Sequence, residues 1–223
     1  MIFKDFDRIV FAGDSVTDME SQNPVGEGLF DNLGQGFVRS IDSLLRMAYP
    51  DVRVRVTNSG ISGNTSRDLS ERYERDVLRL KPDWVNILIG INDVWRQFDS
   101  PSFERDWVLP EEYETNVEKM ITSVKYSVKG IFVMTPYYME PYKNDAMRVR
   151  MTEYADICRK LAEKHNCVLI DLQAMFDKYF EYCHSSSIAW DRIHPNRVGA
   201  DLIAREFLNK CQFDFNHLRC SQS

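Results

Sequence analysis

The chain has 223 residues, 43% of them hydrophobic and 28% charged, with a formal net charge of −6. That length suits one domain with a full core, and the composition is that of an ordinary globular protein. The acidic balance excludes a general nucleic-acid binder, which needs clustered Lys and Arg to displace counterions.

Arg8-Ile9-Val10-Phe11-Ala12 reads as a buried strand ending at Gly13. Phe37, Ile41, Leu44, Leu45 and Ala48 recur at helical spacing, and Pro50 closes that helix. Val52, Val54 and Val56 alternate into a strand that runs out at Asn58. A helix is expected over residues 67–80, capped by Thr65 or Ser66 and stopped before Pro82. Residues 84–89 form the third strand, ending at Gly90. Pro110 enters a long helix over 111–128, and residues 131–134 form the fourth strand. A helix over 147–164, a strand over 168–170 and a last helix over 197–208 complete the pattern.

Strands alternating with helices predict an α/β fold, a three-layer α/β/α sandwich around a central parallel sheet of about five strands. No repeat, low-complexity tract or linker interrupts residues 1–223, so one domain is expected, with 212–223 as a weakly structured or partner-docked tail. No apolar run approaches the about 18 residues of a membrane helix, so no membrane partner is expected. The stretch MIFKDFDRIVFAGDS lacks the apolar core of a signal peptide. The five cysteines (Cys158, Cys167, Cys183, Cys211, Cys220) are odd in number and show no C-x-x-C spacing. They read as free thiols of a reducing compartment, which makes a cytoplasmic location the expectation.

In a sheet of this kind, sites form beyond the carboxyl ends of the strands. Four polar clusters fall there: Gly13-Asp14-Ser15, Asn58 to Thr65, Gly90-Ile91-Asn92-Asp93, and Asp191 with His194 before the last helix. A serine hydroxyl is a poor nucleophile unless a base takes its proton, and a histidine does this near neutral pH. Ser15 is the candidate nucleophile, His194 its base, and Asp191 the acid that fixes the imidazole tautomer. An Asp three residues before a His can also place both groups in one local turn. Acyl transfer builds charge on a carbonyl oxygen, and the Ser15 N–H, the Gly63 N–H and the Asn92 amide are the candidate oxyanion donors. Taken singly, Ser15 also suits an N-cap, Gly63 a left-handed turn and Asn92 an Asx-turn. No G-x-S-x-G, G-x-G-x-x-G, G-x-x-x-x-G-K or H-E-x-x-H occurs, which disfavours an α/β-hydrolase elbow, a nucleotide site and a zinc protease. His165, His184 and His217 read as surface or structural.

These blocks resemble those of the SGNH hydrolases, the GDSL esterases and lipases. The Ser block is Gly13-Asp14-Ser15 with Val16 in place of the usual Leu; the Gly block is Ile61 to Thr65, the Asn block Gly90 to Asp93, and the His block Asp191 to Pro195. The stretches Asn58 to Thr65, Ile89 to Gln97 and Ala189 to Arg192 further resemble intracellular acetylxylan esterases. That resemblance implies removal of O-acetyl groups from xylo-oligosaccharides, no metal or cofactor, and assembly into homo-oligomers. Trp95 follows the Asn block, Tyr137 and Tyr138 follow the fourth strand and Trp190 adjoins Asp191, and rings near the catalytic edge suit stacking on sugar faces; of these, Trp95, Tyr138 and Trp190 are the substrate-binding candidates. Core or subunit packing explains any one of them equally well. A thioesterase or lysophospholipase with the same triad, and a catalytically inactive carbohydrate-binding module, are the alternative readings.

Overall fold

Six strands form one sheet in the computed structural model of the chain, which describes residues 1–28 and 30–217. They are β1 (Arg8–Gly13), β2 (Gly26–Glu27), β3 (Arg55–Gly60), β4 (Trp84–Leu88), β5 (Gly130–Met134) and β6 (Val168–Ile170). Across the sheet the order is β2-β3-β1-β4-β5-β6, parallel throughout except for β2 against β3. The expected five parallel strands are all present. The antiparallel edge Gly26–Glu27 is an addition, and two residues carry no period to read.

The helices are α1 (Ser15–Asp18), α2 (Phe37–Ala48), α3 (Ser66–Asp76), α4 (Ile91–Asp99), α5 (Pro110–Val124), α6 (Ala146–His165), α7 (Leu172–Tyr179) and α8 (Arg197–Lys210). Ile9 and Phe11 of β1 pack into one core with α2, α7 and α8, while Val10 and Ala12 pack into the other with α3, α4, α5 and α6. A strand buried on both faces has to be apolar at every position, so β1 reads as an unbroken run. Phe207 of α8 meets Phe11 at 5.1 Å and Phe132 at 4.7 Å between ring centroids. A buried phenylalanine of this kind contributes about 3–5 kcal/mol over alanine. The result is the three-layer sandwich.

Several boundaries differ from the sequence expectation for local reasons. β3 begins at Arg55 because the Val54 N–H bonds Val52 O at 2.9 Å, turning the chain before the sheet is reached. It continues past Asn58 to Gly60 because Ser59 and Gly60 keep pairing with Ala12 and Gly13 of β1, while the buried Asn58 amide finds its acceptors in Thr17 O at 2.7 Å and Leu33 O at 2.9 Å. Thr65 rather than Ser66 caps α3, in a capping box with Asp68. That helix ends at Asp76, and a separate 3-10 turn at Leu78–Leu80 occupies the rest of the expected span. α5 stops at Val124, whose carbonyl accepts from the Ser127 N–H at 2.8 Å and the Ser127 hydroxyl at 2.9 Å.

Part of the expected tail is docked on its own chain. Phe213 is buried with its ring 5.3 Å from Tyr49, and the His217 ring stacks on Tyr49 at 4.3 Å. Residues 218–223, including Cys220, lie outside the described residues. Cys158, Cys167, Cys183 and Cys211 are free thiols, and among the described residues no helix is long and apolar enough to cross a membrane.

Candidate active site

β1 lies between β3 and β4, so the chain leaves its carboxyl end toward one side and returns on the other. That reversal opens a crevice at the end of β1. The strand closes at Gly13, where a Cβ would sit 2.2 Å from Thr17 Oγ1 and 2.4 Å from Leu88 O. Only glycine lets α1 fold back this tightly on the strand. Asp14 caps α1 by accepting from the Val16 N–H at 3.0 Å, which makes Ser15 the first helical residue. Its own N–H therefore points out of a helix N-terminus, where no intrahelical acceptor exists.

The Ser15 Oγ lies 2.8 Å from His194 Nε2, and His194 Nδ1 lies 2.6 Å from Asp191 Oδ2. The second oxygen of Asp191 accepts from the Ile193 N–H at 2.9 Å and the His194 N–H at 2.8 Å. Asp191 is thus a turn residue and an imidazole partner at once. Burial pushes its carboxyl up, but the His194 ring and the two backbone N–H groups outweigh this and hold it below the usual aspartate range. Arg192 completes the turn with φ of 64° and pairs with Glu140 at 2.7 Å. Asn196 then caps α8 through the N–H groups of Val198 and Gly199.

The loop after β3 brings up the second group of donors. Gly63 has φ of +83° and open space where a Cβ would stand, so backbone conformation rather than packing selects glycine there. Ser62 beside it is anchored by its N–H and hydroxyl on Asp18 Oδ2, at 3.0 and 2.6 Å. Asn92, 2% exposed in the first turn of α4, donates one amide proton to Asn64 O at 2.9 Å. This leaves its second proton for a ligand. Asp18 and Asp93 are supports that the motif reading passed over. Asp93 accepts the Ser66 N–H on both oxygens at 3.0 Å and so ties α3 to the Asn block.

Burial holds Asp14 and Asp93 up to about 7, against an ordinary 3.8. Between those values the folded chain keeps protons that the unfolded chain has released, so stability falls as pH rises from about 4 to about 7. Asp93→Asn removes its own contribution and the charge that helps to raise Asp14. The melting-temperature difference between about pH 4 and about pH 8 should then shrink; an unchanged difference in thermal melts contradicts the assignment.

The aromatic candidates separate. Trp95 stands edge-on to the His194 imidazole, 6.2 Å between centroids, with the Arg96 guanidinium over its ring at 5.2 Å. Tyr138 is half-buried on the loop that faces Arg192, its N–H bonded to Gln173 Oε1 at 2.9 Å. Trp190 is 88% exposed beside Asp191. Tyr137 is buried against Phe176 and belongs to the core. The remaining histidines serve elsewhere: His165 bonds Glu118 at 2.6 Å, His184 caps a 3-10 turn through Ser186, and His217 stacks on Tyr49. Among the described residues no group of three or more His, Cys, Asp or Glu could hold a metal ion.

The acetylxylan esterase of Geobacillus stearothermophilus is 43% identical over 209 residues, covering 94% of this chain and 95% of its own. The solved structure of that esterase, Axe2, matches with a TM-score of 0.94 at 42% identity, over 96% of this chain and 98% of the other. Its solved catalytic mutants include S15A, D191A and H194A. LAE5, an alpha/beta hydrolase from the metagenome of Lake Arreo, Spain, matches with a TM-score of 0.92 at 45% identity, over 95% of this chain and 98% of the other. The sequence pattern of the GDSL-like lipase/acylhydrolase family matches residues 11–202. With that match and an acetylxylan esterase homologue along nearly its whole length, the chain belongs to the GDSL-like lipase/acylhydrolase family.

Proposed function

We propose that the chain is a serine esterase that removes O-acetyl groups from xylo-oligosaccharides through an acetyl-enzyme. The observation that carries this reading is the relay from Ser15 through His194 to Asp191, at 2.8 and 2.6 Å. Ser15 Oγ attacks the acetyl carbonyl while His194 Nε2 accepts its proton. The carbonyl oxygen becomes an oxyanion held by the Ser15 N–H, the Gly63 N–H and the Asn92 amide. As the oxyanion collapses, the bond to the sugar oxygen breaks and His194 returns the proton to that oxygen. Water then attacks the acetyl-Ser15 ester with His194 again as base, and acetate leaves. Asp191, ionised near neutral pH, stabilises the imidazolium in both steps.

The residue types and numbers of the relative's catalytic mutants, S15A, D191A and H194A, coincide with Ser15, Asp191 and His194 here. Trp95 is the first candidate for sugar stacking, since its ring is the one seated beside His194. A cytoplasmic location and homo-oligomers belong to the same reading, and the exposed Trp190 is the ring a second copy would cover.

Acetate release from acetylated xylo-oligosaccharides, measured beside acetylated hexosamines and sialic acid, tests the substrate. Preference for either of the latter overturns it, and preference for octanoyl over acetyl esters favours the thioesterase or lysophospholipase alternative. Asn92→Ala should lower kcat by about 10²–10³-fold, the usual cost of one oxyanion donor. Steady-state kinetics that show KM rising at constant kcat would instead make Asn92 a ground-state binder.

A further inference from the structure

Arg72 has no part in the reaction just described, yet it is 8% exposed on α3, directly behind the site. A guanidinium has five N–H donors, and all five directions are used. Nε donates to Asn64 Oδ1 at 2.6 Å. Nη1 donates to Ser59 Oγ at 3.1 Å and Asp76 Oδ2 at 3.4 Å. Nη2 donates to Gly13 O at 3.0 Å and Ser59 O at 2.9 Å.

All of these acceptors but Asp76 lie on the segments that carry Ser15 and Gly63. Gly13 leads into Asp14 and Ser15. Asn64 follows Gly63, and its carbonyl receives the Asn92 amide proton at 2.9 Å. One rigid planar group therefore spans the ends of β1 and β3 and the loop beyond β3. Asp76 does not need it, since Arg75 already gives that carboxylate two bonds at 2.6 and 2.8 Å. A lysine ammonium, a compact point donor on a flexible stem, cannot reproduce the fork.

We propose that Arg72 is the positioning residue of the oxyanion site, fixing the spacing of the Ser15 N–H, Gly63 N–H and Asn92 amide by holding Gly13, Ser59 and Asn64 together. The proposal rests on the esterase reading above. It implies that Arg72 acts on the transition state and leaves substrate binding untouched.

The test compares wild type, R72K and N64A in turnover of a small acetyl ester, in inhibition by methylboronic acid, and in thermal unfolding. The boronic acid forms a tetrahedral adduct on Ser15 and so reports on oxyanion geometry. R72K should lower kcat by about 100-fold with KM little changed, as a misplacement of about 1 Å does. Its affinity for the boronic acid should fall by a similar factor. A folded R72K with wild-type kcat, or with lost kcat and wild-type boronic-acid affinity, overturns the proposal. If R72K does not fold, N64A decides, because it deletes only the Nε contact from a half-buried side chain. It should then lower kcat by about tenfold, and wild-type kcat in N64A overturns the proposal. A wild-type chain inactive on every acetyl ester fails the esterase reading itself. An active wild type beside an indifferent R72K fails this proposal alone.

Discussion

Ser15→Ala is expected to lower kcat on a small acetyl ester by about a million-fold, the loss that follows when a triad nucleophile is removed. Ser186 also bonds an imidazole, His184 Nδ1 at 2.8 Å, but among the described residues only the ring behind Ser15 has a carboxylate bonded to its far nitrogen and stands beside candidate oxyanion donors. The fold should tolerate the change. Ser15 is half-buried, and its side chain gives up one hydrogen bond, to His194 Nε2, worth about 1 kcal/mol. Turnover and a thermal melt on the same preparation check both halves, and turnover near the wild-type level excludes Ser15 as nucleophile.

Asp191→Asn should cost about 10⁴-fold in kcat while leaving the loop in place. The Oδ1 atom, which accepts from the Ile193 and His194 N–H groups, is retained as the amide oxygen. The Oδ2 atom, which accepts from His194 Nδ1, becomes an NH2 donor. The ring must then offer a lone pair at Nδ1 and carry its proton on Nε2. In that tautomer it cannot accept the Ser15 proton at the 2.8 Å contact. Substrate binding should persist, so KM stays near wild type. A variant with undiminished kcat would show that Asp191 is only a turn residue.

The triad was legible because its chemistry is local on one side and periodic on the other. Asp191 and His194 lie in one turn, and the apolar run from Ile9 to Ala12 announces where Ser15 must emerge. The parallel sheet was legible for the same reason, since double burial writes an unbroken hydrophobic run. The supports of the site were not. Arg72 lies in an expected helix, where a charged residue ordinarily means a solvated face, Asp18 lies in a segment with no readable period, and Asp93 reads only as the neighbour of Asn92; only the strand order folds the three inward. α1 is too short to show a period, whereas α4 does show one in Ile91, Val94, Trp95 and Phe98, overlapped by the Asn block. Trp190 adjoins Asp191 and Trp95 follows Asn92 by three residues, yet only Trp95, carried on α4, turns toward His194; the direction of Trp190 out of its loop has no periodic signature.

Reaction with a dialkyl fluorophosphate tests the nucleophile most directly. One dialkylphosphoryl group per chain should appear on the peptide that contains Ser15, and hydrolysis of acetylated xylo-oligosaccharide should fall in proportion to its incorporation. Full activity with Ser15 labelled, or inactivation with the label on another residue, would contradict the assignment of Ser15 as the acyl carrier.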